Sequence, residues 1–196
     1  MELLRLNAAD IVKSASRGDT ASFEQLVLMY QDKVYSLSLR LTGQAQDAED
    51  LAQEVFVRAY RYMNSFRGDS DFGTWLHRIA VNIWLNQKRK IQPSSAYSLD
   101  EPVSTGDGEI KREIPDISDE PESVLLSSQM SEKLHRAVES LPKDQKAVLL
   151  LREVEDYSYE EIAGMMDCSV GTVKSRLSRA RDALRRSFNG YADRGL

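Results

Sequence analysis

Residues 158–188 read SYEEIAGMMDCSVGTVKSRLSRARDALRRSF, and this stretch decides the fold of the C-terminal part of the chain. Ser158 and Glu161 have the spacing of a capping box, which predicts that a helix begins here. Ser169 is placed to cap a second helix. Because the first helix is predicted to end near Met166, three or four residues connect the two helices. That is the length of the connection in a helix-turn-helix.

The second helix of this pair has two chemically distinct sides. At 100° per residue, its apolar residues fall in one arc: Val173, Leu177, Ala180 and Leu184. The opposite arc carries polar residues: Lys174, Ser175, Ser178 and Arg179. The pattern predicts that the apolar arc packs on the preceding helix while the polar arc faces outward. The glycine usual in such a turn is displaced to Gly171, inside the helix.

The charge of this helix favours nucleic acid as its ligand. Between Thr172 and Phe188 there are six Lys/Arg residues and one acid, Asp182. Arg179 on the outward arc suits bidentate contacts to guanine in the major groove. The flanking arginines are placed to reach phosphates: Arg176, Arg181, Arg185 and Arg186. A basic surface helix without DNA contacts is the alternative.

The N-terminal part is also helical by its apolar spacing. Four helices are predicted: a short one around residues 11–15 that ends near Gly18, one capped by Asp19 that runs to Gly43, one that opens at Asp47, and one from about Phe72 to Lys90. The apolar stripe of the third helix is expected to face inward: Leu51, Val55, Phe56, Ala59 and Tyr60.

Between the two helical parts the periodicity disappears. Residues 91–130 contain two Lys/Arg and nine Asp/Glu, whereas residues 1–90 and 131–196 each have a net charge of +1. A stretch rich in Pro, Ser, Gly and acid is typical of a flexible linker. We therefore expect an all-α protein of two small helical domains, with bounds 1–92 and 128–196, joined by an acidic linker at 93–127.

The composition excludes several classes of protein. The chain has 196 residues and one cysteine, Cys168, so no intramolecular disulfide is possible. No apolar run reaches the roughly 20 residues of a membrane span, and the N-terminus lacks the apolar core of a signal peptide. A cytoplasmic location is therefore expected. The Arg-Gly-Asp tripeptide at 67–69 is accordingly interpreted as part of a turn and not as an adhesion signal.

Residues 65–76, SFRGDSDFGTWL, form a connection that is unusually rich in aromatic side chains. Gly68, Asp69 and Ser70 are turn-forming residues. Phe66, Phe72 and Trp75 are expected to fix this turn to the core, with Trp75 in the core itself.

Two groups of residues resemble metal ligands in type and spacing, but each has a simpler interpretation. Glu132 and His135 make a Glu-x-x-His pair, which forms half of a di-metal site in some helical bundles, but a surface pair is favoured. Acids in the first turns of the third helix, such as Asp47 and Glu49, favour its dipole. The sequence has no glycine-rich phosphate loop, catalytic triad or zinc pattern. We expect no cofactor, no metal and no enzymatic activity.

Two segments carry a resemblance to a known family. YSYEEIAGMMDCSVGTVKSRLSRARDAL at 157–184 resembles region 4 of bacterial sigma factors. DAEDLAQEVFVRAYRYMNSFRGDSDFGTWLHRIAVN at 47–82 resembles their region 2. With a linker between the two regions, the chain resembles an extracytoplasmic-function (group 4) sigma factor of the sigma-70 family, nearest the envelope-stress sigma-E type.

The resemblance implies a subunit that directs bacterial core RNA polymerase to a promoter class of a stress regulon. Region 2 of the family binds the clamp of the largest polymerase subunit and opens the −10 element, and region 4 sits on the flap of the second-largest subunit and reads the −35 element. It implies that Asp50, Gln53 and Glu54 bind polymerase. An anti-sigma factor that masks both DNA-binding domains is also implied.

The same resemblance assigns DNA contacts. Asn82 and Asn86 match asparagines that contact the upstream edge of the −10 element, and the preceding loop of the family captures an unstacked −10 base. The loop positions expected to contribute are Phe66, Arg67, Asp69 and Ser70. The −35 readers of the family match Lys174, Ser175, Ser178 and Arg179, with Arg176 beside them. Relatives carry an aromatic residue where this chain has Ser178.

A stand-alone dimeric helix-turn-helix regulator is the alternative. It accounts for residues 131–196 but not for the first domain. The two near-neutral domains argue against strong unaided DNA binding, since non-specific affinity comes from neutralised phosphates. A subunit that polymerase carries to DNA has no need of such affinity.

Overall fold

A computed structural model describes the backbone of residues 2–87 and 121–192 and the side chains of residues 8–87 and 130–188. Eight α-helices and one short 3-10 helix make up the secondary structure of these residues, and no strand occurs among them. The predicted all-α class is confirmed. Within the same residues, no helix combines the length and the hydropathy needed to cross a membrane.

The helices fall into an N-terminal and a C-terminal group. The first group is α1 (Glu2–Ser16), α2 (Thr20–Thr42), α3 (Ala45–Tyr62), the 3-10 helix at Met63–Ser65, and α4 (Phe72–Gln87). The second group is α5 (Pro121–Glu139), α6 (Lys143–Glu153), α7 (Tyr159–Met165) and α8 (Val170–Ala192).

Several helix ends are set by the residues that the sequence singled out. The Asp19 carboxylate accepts a hydrogen bond from the Ala21 amide and caps α2, which ends at Gly43 with φ at +79°. Ser158 and Glu161 form a complete capping box at the start of α7. The Ser169 hydroxyl accepts a hydrogen bond from the Thr172 amide at the start of α8. These predicted caps are confirmed.

Other helix ends differ from the prediction. Helix α1 begins at Glu2, well before the short helix expected around residues 11–15. Helix α3 begins at Ala45 with Gln44 at the cap position, two residues before Asp47. Helix α5 begins at Pro121, within the segment expected to be linker. The rest of that linker and the expected end of α4 at Lys90 lie outside the described residues.

The N-terminal helices bury a continuous apolar core. Helix α3 contributes Leu51, Val55 and Ala59, all fully buried, against Leu26, Val34 and Leu37 of α2. Tyr60 was expected inside, but its side chain is 52% exposed. Its ring lies at the edge of this core, with its centroid 5.1 Å from that of Phe23.

The turn between α7 and α8 contains a residue in the left-handed conformation that is not glycine. Asp167 adopts a φ of +50°, in the left-handed region. Aspartate tolerates this region better than most residues because its short side chain forms local hydrogen bonds. It takes the place of the glycine usual at this turn. Cys168 follows it, partly buried against the core.

Candidate nucleic-acid interface

Helix α8 is held on the C-terminal helices by the apolar arc that the sequence predicted. Val173, Leu177 and Ala180 are buried. Leu184 is half-buried and packs against the same core. Because these residues anchor one side of the helix, the opposite side must face away from the domain.

The four residues of the polar arc are all exposed, as the geometry of the helix predicts: Lys174, Ser175, Ser178 and Arg179. Two of them make local contacts. The Ser175 hydroxyl donates a 2.9 Å hydrogen bond to the Thr172 carbonyl oxygen. The Lys174 ammonium lies 5.7 Å from the ring centroid of Tyr159. Arg179 has no hydrogen-bond or ion-pair partner among the described residues.

Three arginines that flank this arc are paired with acids. The Arg176 guanidinium is 2.9 Å from a carboxylate oxygen of Asp144 on α6. Arg185 is 3.1 Å from Asp182, one turn earlier on its own helix. Arg181 is paired with Glu153, which raises the pKa of the guanidinium above its usual value. Arg176 therefore lies apart from the exposed arc and links α6 to α8.

A shallow cavity of about 210 Å³ opens beside Ser178 on this surface. Its lining joins α8 to the start of α7: Tyr159, Lys174, Leu177, Ser178, Arg181, Asp182 and Arg185. Tyr159 also lies 5.2 Å from the Arg152 guanidinium carbon. Sequence reasoning did not single out Tyr159. The sequence feature that could have identified Tyr159 is its position directly after Ser158, which caps α7.

A second group of exposed polar residues surrounds the start of α4. Phe66 itself is half-buried, and its ring centroid is 5.1 Å from that of Trp75 and 5.5 Å from that of Phe72. Tyr30 extends the cluster, 5.3 Å from Phe72. Gly68 has a φ of +77°, which confirms the turn predicted at this position. The aromatic residues thus fix the turn to the core, as the sequence predicted. Trp75, which was expected in the core itself, is only partly buried and packs against the core, whereas Phe72 is the buried member.

The turn displays Arg67, Asp69 and Ser70 to solvent. Asp71 follows and caps α4, since its carboxylate accepts a 3.0 Å hydrogen bond from the Gly73 amide. A Cβ atom at Gly73 would lie 3.1 Å from a Tyr30 ring carbon, so the close approach of the turn to α2 favours glycine here. The sequence did not identify these two residues.

The two asparagines of α4 lie one turn apart on the same side of the helix. Asn82 is half-buried and Asn86 is exposed. The Asn86 side-chain amide donates a 2.8 Å hydrogen bond to the Asn82 backbone carbonyl oxygen. This bond fixes the Asn86 side chain against the helix.

A third group of candidate residues lies on α3. Asp50 and Gln53 are exposed, and Glu54 is half-buried with its carboxylate 2.7 Å from the Arg58 guanidinium. Val57 lies one turn further on the same face and is 43% exposed. Sequence reasoning missed Val57, although an apolar residue at this spacing on a polar helix face is a visible signal. The face therefore combines acids with an accessible apolar side chain.

Among the residues whose side chains are described, no three His, Cys, Asp or Glu lie close enough to hold an ion. Glu132 of the Glu-x-x-His pair forms an ion pair with Arg136.

Comparison with protein families gives two matches along the chain. Residues 26–93 match the model of sigma-70 region 2. Residues 131–184 match that of sigma-70 region 4. The first match contains the faces of α3 and α4 described above, and the second contains α6, α7 and the exposed arc of α8.

Characterised relatives match over most of the chain. The RNA polymerase sigma-H factor of Pseudomonas aeruginosa is 42% identical over 178 residues, covering 89% of this chain and 90% of the relative. The ECF RNA polymerase sigma-E factor of Escherichia coli (strain K12) is 43% identical over 177 residues, with the same coverage.

Solved structures share the fold. The sigma factor RpoE from Bartonella quintana, solved in complex with the anti-sigma factor NepR, has a TM-score of 0.59 and 24% identity, covering 85% of this chain and 96% of that one. CnrH, solved in complex with the cytosolic domain of CnrY, has a TM-score of 0.59 and 21% identity, covering 92% of this chain and 96% of that one.

Proposed function

This chain belongs to the sigma-70 family of RNA polymerase sigma factors, and from that premise we propose how its parts divide the work of promoter recognition. The chain gives RNA polymerase its promoter specificity. We assign sigma region 2 to residues 1–92, a linker to residues 93–127, and region 4 to residues 128–196. Because α5 begins at Pro121, the last residues of the segment assigned to the linker are helical.

The −35 element is read by the exposed arc of α8. The observation that supports this most strongly is the contrast between Arg179, which is exposed without a partner in the described structure, and the paired arginines beside it. Arg179 is the guanine-contacting residue, since its guanidinium can donate two hydrogen bonds to one base. Lys174, Ser175 and Ser178 complete the contact surface.

Arg176 has a supporting role in this assignment. Its ion pair with Asp144 joins α6 to α8 and so holds the reading helix in position. The Arg176 side chain is 26% exposed, which leaves it able to reach a phosphate at the edge of the groove. The pairing of three of the six cations lowers the unaided affinity for DNA, in agreement with delivery by polymerase.

The −10 element is opened and read at the start of α4. Arg67, Asp69 and Ser70 form an exposed turn that would hold an unstacked base, and Asn82 and Asn86 contact the adjoining upstream DNA. Phe66 has its ring packed against Trp75 and Phe72, so its contribution to DNA is through its exposed edge and through support of the turn. Stacking of a base on an aromatic ring contributes about 1–3 kcal/mol.

Core polymerase binds the face of α3 formed by Asp50, Gln53 and Glu54. We assign the clamp of the largest subunit to this face and the flap of the second-largest subunit to region 4. Val57 extends the face with an exposed apolar side chain, which suits a protein partner better than a nucleic acid.

An anti-sigma factor controls the chain in this proposal. RpoE was solved in complex with the anti-sigma factor NepR, and CnrH was solved in complex with the cytosolic domain of CnrY. Both structures share the fold of this chain. The regulated genes are those of a stress response. The protein acts in the cytoplasm, where polymerase is found, and it contributes binding surfaces and no catalytic group or cofactor of its own.

A reconstituted transcription assay tests the proposal. The purified full-length chain, core polymerase and a promoter fragment of the sigma-E class are combined, and each is also left out in turn. Initiation is expected from the complete mixture and from no incomplete one. A specific shift of the promoter by a dimer of this chain without polymerase would instead support the stand-alone regulator and overturn the proposal.

A further inference from the structure

One side of the exposed surface of α8 carries three cations in a row. Lys174, Arg181 and Arg185 are spaced seven and four residues apart, so they lie within about 40° of one another around the helix axis and extend over roughly 16 Å along it. All three line the shallow cavity beside Ser178. Because this row borders the arc proposed to read bases, it is placed to meet the phosphates of a bound DNA strand.

Glu153 of α6 neutralises the middle cation of this row. Nε and Nη2 of Arg181 both donate hydrogen bonds to Oε1 of Glu153, and Nε lies 3.1 Å from that oxygen. The side chains of Arg181 and Glu153 remain 49% and 45% exposed. An ion pair this exposed adds little to the stability of a protein, because water screens both charges. Stability therefore does not account for the placement of Glu153.

The helix that carries Glu153 gives no local reason for an acid at this position. Glu153 is the last residue of α6. The C-terminus of a helix carries a partial negative charge from its carbonyl groups, so a carboxylate there is unfavourable for the helix itself. Asp144, which pairs with Arg176, lies instead in the first turn of α6, where an acid is favourable. The charge of Glu153 is thus matched by α8 and not by its own helix.

The other two cations of the row are held less firmly. Arg185 lies 3.1 Å from Asp182, a neighbour on α8 itself, and its side chain is 69% exposed. Lys174 lies 5.7 Å from the ring centroid of Tyr159, which bears no net charge. Within this row, as far as the described side chains show, Arg181 alone is bound to an acid of another helix.

We propose that Glu153 limits the binding of DNA by the free chain: its carboxylate occupies Arg181 and repels phosphates that approach the row. This role rests on the proposed function, since the surface concerned is the one assigned to the −35 element. Each phosphate that a cation neutralises releases counterions and so strengthens non-specific binding. A phosphate can bind Arg181 only by displacing the Glu153 carboxylate, so this cation contributes little to unaided affinity.

A limit on unaided affinity has a use in a subunit that must first find core polymerase. Non-promoter sites greatly outnumber promoters, and a chain bound to them is withdrawn from assembly with core. At the promoter, the proposed base contacts of Arg179 and the contacts to the −10 element add to those with phosphates, so the loss of one phosphate contact is tolerated. Glu153 therefore makes strong DNA binding depend on polymerase.

Binding of the full-length chain to a short fluorescent duplex without promoter elements tests this role. Affinity is measured by anisotropy between about 50 and 200 mM salt. Glu153→Gln removes the charge and keeps the size of the side chain. The affinity is expected to rise at least about threefold at the lower salt, and the slope of log K against log[salt] should steepen by about 0.9, the value for one additional phosphate.

Two further variants show whether the released arginine is responsible. Glu132→Gln is the matched control, because it also removes an acid that pairs with an arginine, Arg136, but on α5. It should leave the slope unchanged. Glu153→Gln combined with Arg181→Ala should return the slope to that of the unmodified chain. An unchanged slope in Glu153→Gln, an equal gain in Glu132→Gln, or a gain that persists without Arg181 would each overturn the role of Glu153.

Transcription with core polymerase measures the consequence for function. Non-promoter duplex is added to the chain before core, and initiation is compared with that of the same chain without competitor. The competitor should reduce initiation by Glu153→Gln at least about threefold more than initiation by the unmodified chain at the lower salt. Equal sensitivity would overturn the link to polymerase. Failure of the unmodified chain to initiate with core would instead overturn the proposed function, and the affinities of the free chain would still decide the role of Glu153.

Discussion

Arg179 and Arg181 are two residues apart on α8, yet their surroundings are different. Arg181 is held by Glu153, and Arg179 is exposed with no partner among the described residues. A helical wheel places Arg179 on the outward arc but cannot show which flanking arginines meet an acid, because Asp144 and Glu153 come from another helix. The tertiary structure thus shows which of the flanking arginines are held by acids of another helix.

Arg179→Ala is expected to weaken −35 recognition by about 1–3 kcal/mol, because a bidentate contact to a base is lost. Relative binding of the polymerase complex to promoters with and without the −35 element measures this cost. Arg181→Ala is the matched control, expected to have a smaller effect that does not depend on sequence. Equal losses for the two variants would contradict the assignment.

The Tyr159 ring is a second residue that we expect to affect recognition, because two cations lie near it: Arg152 at 5.2 Å and Lys174 at 5.7 Å from the ring centroid. Tyr159→Ala should free Lys174 and change the discrimination of −35 sequences more than the overall affinity for core. Tyr159→Phe keeps the ring and should behave like the unmodified chain. A loss in both variants would point to the hydroxyl and contradict the cation–ring interpretation.

At the scale of the element, α7 shows how one local motif fixes a short helix. The Ser158 hydroxyl accepts from the Glu161 amide at 3.2 Å, and the Glu161 carboxylate accepts from the Ser158 amide at 2.8 Å. A seven-residue helix has little stability by itself, so the capping box and the packing of Ile162 and Met165 hold it in position. The start of α7 in turn positions Tyr159.

Ser158→Ala should cost about 0.5–2 kcal/mol of unfolding free energy, the usual range for loss of an N-cap. Urea unfolding of the full chain measures this. Ser131→Ala, at an exposed site within α5, serves as a control for the same substitution. An equally large loss at Ser131 would show that the cost is not specific to the cap.

The capping box also predicts a pH effect. Hydrogen bonds from the Ser158 amide and hydroxyl lower the pKa of the Glu161 carboxyl below its ordinary value. Its contribution to stability is therefore present above the unfolded pKa and is lost as pH falls through the folded pKa. Glu161→Gln should reduce the loss of stability between pH 5 and pH 3, which thermal unfolding can follow. An unchanged acid profile would argue against this contribution.

The proposed polymerase-binding surface of α3 consists of several residues on one face of the helix. We expect Asp50→Ala combined with Glu54→Ala to weaken core binding at least tenfold and to leave the −35 discrimination of assembled complexes unchanged. Glu24→Ala, at an exposed acid of α2, is the control. A matching loss of core binding in Arg179→Ala would contradict the division between the two regions.

At the scale of the whole molecule, His77 is a buried titratable group where α4 contacts the α6–α7 loop. Its imidazole faces charged or titratable groups from α2, from the start of α4 and from the α6–α7 loop: Lys33, Arg40, Asp71, Glu155 and Tyr157. Burial is the main cause that lowers the pKa of His77, and Glu155 opposes this shift. Nε2 is buried with no hydrogen-bond partner among the described residues.

The lowered pKa of His77 sets the direction of a pH dependence. A lowered pKa means that the folded chain favours neutral imidazole at His77, so the contribution of this residue to stability is fully present above about pH 6.5 and is lost as pH falls. The temperature of thermal unfolding of the full chain should therefore decrease from pH 8 to pH 5.5. His77→Asn, which does not titrate in this range, should flatten the profile. A profile that rises toward acid would show that Glu155 dominates.

The sequence by itself determined the all-α fold, the caps of α2, α7 and α8, and the outward arc of α8. These features are local: caps depend on residues three apart, and helix faces depend on a fixed 100° rotation. The family resemblance, confirmed by the comparisons, added the identity of the chain. The assigned contact residues remain proposals.

Only the tertiary structure decided which side chains are paired between helices. Asp144 and Arg176, and His77 and Tyr157, lie far enough apart in sequence that no periodicity relates them. The same holds for Gly43, whose local role as a helix end was visible in the sequence but whose approach to Glu139 was not. Such contacts depend on how whole helices pack, and helix packing is fixed by the combined shape of many side chains and not by any one segment.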